Sequence, residues 1–205
     1  MKGILFKYEA NPKSPDLRDC RDEKICGIAD PDFWTNAGRG TFVWSVCGPY
    51  VRKNLQLGDV LFFLPKASSI RKAGLGHSDY ICTGVLVVED LSDEQRVKYN
   101  PEILDVYKTR YAADLKHHRN SSKESKRTKL IRGKNIAIGH SPRSMWFGRR
   151  GVILKDEVLK GILDPTDIRK MRIPYVREPS KVRELYRRVT GVGYNSLVRK
   201  PPAGR

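Results

Sequence analysis

The segment from Val46 to Leu64 constrains the fold of this chain more than any other part of its sequence. Pro49 suits the first turn of a short helix, because the backbone N–H that proline lacks has no partner at that position. Gly58 and Asp59 then form a typical turn pair. Residues 60–64 are all apolar. A continuous apolar run of this length predicts a strand that is buried on both faces or that closes a barrel.

Periodic patterns on either side of this segment predict an α+β fold. The predicted strands cover residues 2–9, 41–46, 80–89, 135–139 and 152–154, and short helices are predicted over residues 157–163 and 180–190. In the last helix, four apolar residues are expected to turn inward: Val182, Leu185, Tyr186 and Val189. Gly191 is expected to end that helix. Trp44 alternates with Phe42 along one strand, so we expect both in the core.

The length of 205 residues allows one domain with a sizeable core, or a domain with an appendage. We expect a domain over residues 1–165 and a basic helical extension over residues 166–205 that packs on it. No apolar run approaches the roughly 18 residues of a transmembrane helix, and the first strand is too interrupted for a signal peptide, so the expected location is cytoplasmic. The four cysteines lack metal-binding spacing, and we expect neither a metal nor another cofactor.

The formal net charge of +17 is concentrated in two segments. Residues 116–150 contain eleven Lys or Arg and one acid, and residues 166–205 contain eleven Lys or Arg and three acids. Concentrated positive charge attracts polyanions, and phosphate contacts release counterions. The pattern favours a nucleic acid (DNA or RNA) or a nucleotide as partner over a membrane, because neither segment has a long amphipathic helix with a large aromatic face. The alternative is a basic surface that only maintains solubility.

Two resemblances follow from the order of these segments. The succession of strand, helix, Gly-Asp turn, strand, loop and strand over residues 42–90 resembles the PUA-like superfamily, whose ASCH, EVE and YTH modules are small β-barrels that bind RNA or modified bases. Five segments are similar to the nucleotide-modification-associated domain family: residues 47–53 (CGPYVRK), 58–60 (GDV), 85–90 (VLVVED), 99–101 (YNP) and 145–148 (MWFG). The chain departs from that family at Gly48, at Val60 and over residues 140–144 (HSPRS).

What the resemblance implies is a PUA-like mixed β-barrel decorated with helices. It also implies a nucleic-acid-binding or modified-base-binding protein linked to nucleotide modification or phage defence. No counterpart is expected for the basic C-terminal part of the chain.

Candidate binding residues are aromatic or basic side chains near the predicted turns. The candidates for contact with a base are Trp34, Trp146, Phe147, Tyr50 and Asp59, since an aromatic ring can stack on any base. Asp59 either accepts a hydrogen bond from a base edge or caps its own turn. The candidates for contact with phosphate are Arg52, Lys53, Arg71, Lys72, Arg149 and Arg150. We expect Arg52 and Lys53 to face solvent.

An alternative function is an enzyme that acts on nucleic acid or nucleotides. Its candidate acid–base groups are His77, Asp79 and His140, because histidine titrates close to neutral pH. No Ser-His-Asp, HExxH or paired-carboxylate spacing connects these residues. A third interpretation is a basic module that contacts RNA only through its tails.

Overall fold

The structure, a computed structural model, describes residues 1–8, 40–44, 49–65, 80–93, 135–147, 151–163 and 175–194. The strands are β1 (Gly3–Tyr8), β2 (Thr41–Trp44), β3 (Val60–Pro65), β4 (Tyr80–Cys82), β5 (Gly84–Val87), β6 (Asp90–Ser92), β7 (Ile136–His140), β8 (Met145–Trp146), β9 (Val152–Leu154) and β10 (Tyr175–Val176). The helices in these ranges are the single turn α1 (Pro49–Arg52) and the longer α2 (Asp156–Ile162) and α3 (Pro179–Thr190). The protein has a mixed α+β fold with several sheets.

The apolar strand β3 lies in the middle of a five-stranded sheet with the order β10-β1-β3-β5-β8. It runs parallel to β1, with Val60 opposite Gly3. It runs antiparallel to β5, with Val60 opposite Val87. Because β1 pairs with the whole strand and β5 pairs with residues 60–63, most backbone polar groups of this buried strand find partners within the sheet.

Successive residues of β3 point into two separate apolar clusters, one on each face of the sheet. Val60, Phe62 and Leu64 belong to a cluster that includes the inward residues of α2 and α3. Leu61 and Phe63 belong to a second cluster on the opposite face. The run is therefore buried on both faces, which confirms the first of the two alternatives predicted for it.

The described strands do not form a closed barrel. They fall into the five-stranded sheet, a three-stranded sheet with the order β2-β7-β6 and a two-stranded pair of β4 and β9. The helices α2 and α3 cover one face of the large sheet. The three-stranded sheet and α1 cover the other, since Phe42, Trp44 and Ala137 of that sheet and Val51 of α1 enter the second cluster. A layered arrangement of this kind buries β3 without closure, so the expected barrel is not seen.

The three-stranded sheet is held against the large sheet by aromatic packing and by a close approach of backbones. The Trp44 ring lies edge-on to Phe6 and Phe63, with ring centroids 4.9 and 5.6 Å apart. A Cβ at Gly139 would overlap the Val87 carbonyl oxygen and the Ser144 hydroxyl. Glycine in β7 therefore allows the two sheets to meet, and the prediction that Phe42 and Trp44 are core residues is confirmed.

The predicted strand over residues 80–89 is interrupted at Thr83. The segment before it, β4, pairs with β9, whereas the segment after it, β5, pairs with β3 and β8. The Thr83 N–H donates to the Phe63 carbonyl at 2.9 Å, and the Thr83 carbonyl accepts from the Phe147 N–H at 3.0 Å. Both backbone groups of Thr83 thus remain bonded at the point where the chain leaves one sheet for another.

The described C-terminal residues share the core with the N-terminal strand. In β10, Val176 pairs with Gly3 at the edge of the large sheet. The helix α3 buries the four predicted inward residues, and these join the same apolar cluster as Leu5 of β1. Gly191 ends the helix in the left-handed conformation with φ of 74°, as predicted. Residues 175–194 therefore complete the hydrophobic core as well as packing against it.

Candidate functional site

The turn before β3 uses Asp59 to satisfy the backbone. The Asp59 side chain is 1% exposed. Its Oδ2 accepts from the Gln56 N–H and its Oδ1 from the Lys2 N–H, both at 2.9 Å. Lys2 Nζ lies 3.4 Å from Oδ2. The structural alternative for Asp59 is the one observed, because a carboxylate with this burial and these partners has no face left for a base edge.

Gly58 has a conformation that explains why this turn contains glycine. Its φ is 82°, a region that residues with a Cβ enter only with strain. The Gly58 N–H donates to the Val88 carbonyl at 2.7 Å, and the Asp59 carbonyl accepts from the Val88 N–H at 2.8 Å. The turn is thereby fixed to the end of β5.

Arg52 differs from its prediction as a solvent-facing phosphate ligand. Its side chain is fully buried, whereas the neighbouring Lys53 is exposed. The Arg52 carbonyl accepts from Asn135 Nδ2 at 3.1 Å. Polarity alone predicts Arg52 on the outside of α1. However, α1 has a single turn and packs against residues of two sheets. Only Lys53 of this pair is placed to meet a phosphate.

The third acid–base candidate, His140, is the last residue of β7 and leads into the turn that follows. Its ring Nδ1 lies 3.2 Å from the Thr41 hydroxyl, and its backbone N–H donates to Glu89 Oε2 at 2.7 Å. The other oxygen of Glu89 lies 3.4 Å from Arg143 Nη1. The Glu89 carboxylate therefore joins the two ends of the turn, while the His140 ring contacts the Thr41 hydroxyl.

Arg143 connects this turn to the C-terminal helix and the residues after it. Its guanidinium lies 4.6 Å above the Tyr194 ring, a favourable cation–π geometry. Its carbonyl accepts from the Tyr186 hydroxyl at 2.7 Å. Burial raises the pKa of Tyr186 to about 12 and also raises the pKa of Tyr194. Both phenols are therefore neutral at neutral pH, and the Tyr186 hydroxyl is a donor.

The structure describes three of the aromatic candidates to different extents. Phe147 is half-buried and packs against the cluster that contains α2 and α3, so the cluster covers part of its ring. Trp146 lies in β8 and pairs with Gly84, and Tyr50 lies in α1. The side chains of Trp146 and Tyr50 are outside the described part of the structure.

The remaining candidates lie entirely outside the described residues. They are Trp34, His77, Asp79, Arg71, Lys72, Arg149 and Arg150. The roles predicted for them stay predictions.

The outer face of α3 is basic and exposed, and none of its side chains was among the binding residues predicted from the sequence. Its exposed or partly exposed cations, with the one that precedes the helix, are Arg177, Lys181, Arg183, Arg187 and Arg188. Two acids share this face: Glu178 lies 3.1 Å from Lys181, and Glu184 pairs with Arg187 and Arg188. The signal was present, since these cations occupy the helical positions that the apolar face leaves free. We call this set of five cations the basic face of α3.

The residues that the structure describes give little support to a metal site or a reactive cysteine. No group of three His, Cys, Asp or Glu side chains within those ranges is arranged to hold a metal ion. Cys82 is buried, and this burial raises the pKa of its thiol to about 12, which leaves it protonated and a poor nucleophile. None of the described helices is long and apolar enough to cross a bilayer.

No protein-family model, curated protein or solved structure matches this chain.

Proposed function

We propose that this protein binds nucleic acid through the basic face of α3. The remaining cations of the two basic segments, residues 116–150 and 166–205, extend the contact. The observation that supports this most directly is the exposure of Arg183, Arg187 and Arg188 on one side of a helix whose other side is fixed in the core. Arginine suits phosphate because its planar guanidinium offers several donors at once.

The anchoring of α3 supports a binding role for its outer face. Four inward residues hold the helix on the large sheet, and the Tyr186 hydroxyl ties it to the turn after β7. Cations on a rigid element lose less conformational freedom on binding than cations on a tail. The helix therefore presents its positive charge at a defined position, whereas an interpretation based on tails alone gives this face no role.

The finer parts of the proposal come from the resemblance alone. A PUA-like relationship is implied by the order of elements over residues 42–90. Recognition of a modified base and a link to nucleotide modification or phage defence are implied by the segments that resemble the nucleotide-modification-associated domain family. Of the acid–base candidates, His140 alone is described, and its ring contacts the Thr41 hydroxyl. His77 and Asp79 lie outside the described residues.

A salt titration with paired variants tests the proposal. We expect a labelled oligonucleotide to bind with an affinity that falls steeply as salt rises, because each neutralised phosphate contributes nearly one unit to the slope of log K against log salt. The double variant Arg183→Ala/Arg187→Ala should lower that slope by up to about two. DNA and RNA oligonucleotides are compared in separate arms.

The matched control removes two exposed lysines beside and within α2, Lys155 and Lys160. Lys155→Ala/Lys160→Ala changes the net charge by the same amount and should leave the slope close to that of the wild type. Equal losses in the two double variants would mean that binding follows net charge and not the basic face of α3. An affinity that does not change with salt would remove the proposal.

The predicted stacking of Trp146 on a base has a separate test. Trp146→Ala should weaken oligonucleotide binding about 5- to 150-fold, because stacking contributes roughly 1–3 kcal/mol per base. Thermal melting of the same sample separates this role from a core role. A large loss of stability, or an unchanged affinity in a stable variant, would refute stacking by Trp146.

A further inference from the structure

Glu184 holds two arginines of the basic face together. Its Oε2 accepts from Arg187 Nε at 3.1 Å, and its Oε1 accepts from Arg187 Nη2 at 3.1 Å and from Arg188 Nε at 2.7 Å. The two arginines stand three and four positions after Glu184, the spacing at which side chains on a helix meet. One carboxylate thus orients both guanidinium groups.

This arrangement leaves donors for another acceptor. The bonds to Glu184 use Arg187 Nε and Nη2 and Arg188 Nε. Within the described residues, no bond is made by Arg187 Nη1 or by either terminal nitrogen of Arg188. The side chains of Arg187 and Arg188 are 59% and 48% exposed. Their free N–H groups therefore remain available to a phosphate.

The carboxylate stays charged under ordinary conditions. Hydrogen bonds from Arg187 and then Arg188 lower the pKa of Glu184, and the same pairing raises the pKa of Arg187. The arrangement is therefore present throughout the neutral pH range, in which nucleic acid is fully ionised.

We propose that Glu184 is a positioning residue that arranges Arg187 and Arg188 for a backbone phosphate of nucleic acid. This role rests on the proposed function. Long side chains lose rotational freedom when they bind a ligand, and a side chain that is already oriented loses less of it. A negative charge on a surface that binds a polyanion should by itself weaken binding. Charge and geometry therefore predict opposite effects for the loss of this carboxylate.

The test compares Glu184→Gln with Glu178→Gln. Each variant removes one negative charge at or next to the same helix. Glu178 is 63% exposed and pairs only with Lys181 among the described residues, so its loss does not release an arginine pair. Glutamine keeps the length of the side chain but binds guanidinium less strongly than a carboxylate does. A labelled oligonucleotide of mixed sequence serves as the probe, at one fixed salt concentration and then over a salt series.

We expect Glu178→Gln to bind as tightly as the wild type or more tightly, and Glu184→Gln to bind roughly two- to tenfold more weakly than Glu178→Gln. Their melting temperatures should agree, because exposed ion pairs contribute little to stability. An affinity of Glu184→Gln equal to or above that of Glu178→Gln would overturn the positioning role while wild-type binding remained. Wild-type protein without salt-sensitive binding would overturn the proposed function, and this role with it.

Discussion

Two carboxylates in this protein, Asp59 and Glu184, each accept hydrogen bonds from two residues, with opposite consequences. Asp59 lies buried in the turn before β3 and accepts from two backbone N–H groups. Glu184 lies on the outer face of α3 and, within the part of the chain that the structure describes, accepts from arginine side chains. The first carboxylate fixes the path of the chain. The second arranges charged groups on a surface that is already built.

The difference shows how a polar residue can be assigned to structure or to binding. A buried carboxylate that accepts hydrogen bonds from the backbone cannot be replaced by water, so removing it lowers the free energy of unfolding. An exposed carboxylate bonded to mobile side chains can be replaced by water at little cost to folding. Stability measurements should therefore separate the two regions before any ligand is tested.

The largest effect is expected from Asp59→Ala. Removing the carboxylate leaves the N–H groups of Lys2 and Gln56 without their acceptors, and two such losses should lower the free energy of unfolding by about 2–4 kcal/mol. Chemical denaturation measures this change. Asp59→Asn keeps one acceptor oxygen and should fall between the wild type and Asp59→Ala. A neutral effect of both variants would contradict a structural role for Asp59.

A smaller effect is expected in the same turn from Gly58→Val. The Cβ would meet no atom within 4 Å, so the cost should arise from the positive φ alone, at about 1–3 kcal/mol. Gly58→Asn is the matched control, because asparagine tolerates this conformation better than a β-branched residue. Equal losses of stability in the two variants would show that backbone strain is not the cause.

Tyr186→Phe tests the inner side of α3. Loss of the hydroxyl removes its bond to the Arg143 carbonyl and should cost about 1 kcal/mol near neutral pH. The pKa of Tyr186 is raised from 10.0 to about 12, so the folded state favours the neutral phenol. Its contribution to stability is complete below about pH 10 and is lost as the pH rises towards 12. The difference in free energy of unfolding between the wild type and Tyr186→Phe, measured by urea denaturation, should therefore shrink across that pH range. A difference that stays constant with pH would contradict the raised pKa.

The smallest effect on folding is expected from Glu184→Ala. Its pairs with Arg187 and Arg188 are exposed, so the melting temperature should be indistinguishable from that of the wild type. A clear decrease in melting temperature would place Glu184 with Asp59 as a structural carboxylate, and the comparison between the two regions would fail.

The sequence by itself determined the elements whose signal is local. The uninterrupted apolar run of residues 60–64 predicted burial on both faces, and the 3.6-residue period of residues 180–190 predicted which side of α3 enters the core. Glycine before Asp59 indicated a turn. In the structure Gly58 adopts the positive φ of that turn, and Asp59 caps it with its side chain. In each case the residues that carry the signal are neighbours along the chain.

Only the tertiary structure decided which distant segments meet. The two-residue strand β10 is too short to leave a periodic signal, yet it pairs with β1 across the length of the chain. At Thr83, where the chain changes sheets, the backbone bonds to Phe63 of β3 and to Phe147, the residue after β8. Arg52 looked like a surface residue because of its type, and its burial depends on layers contributed by remote segments.

The same division applies to the candidate site. The sequence indicated an excess of positive charge near the C-terminus, but the distances that join Glu184 to Arg187 and Arg188 required a formed helix. The placement of Tyr186 and Tyr194 against Arg143 required the turn after β7 to pack beside the end of α3. Charge, helical period and the contacts of Glu184 within one helix are properties of a short segment, whereas the contacts of Tyr186 and Tyr194 with Arg143 arise only when the core brings separate segments together.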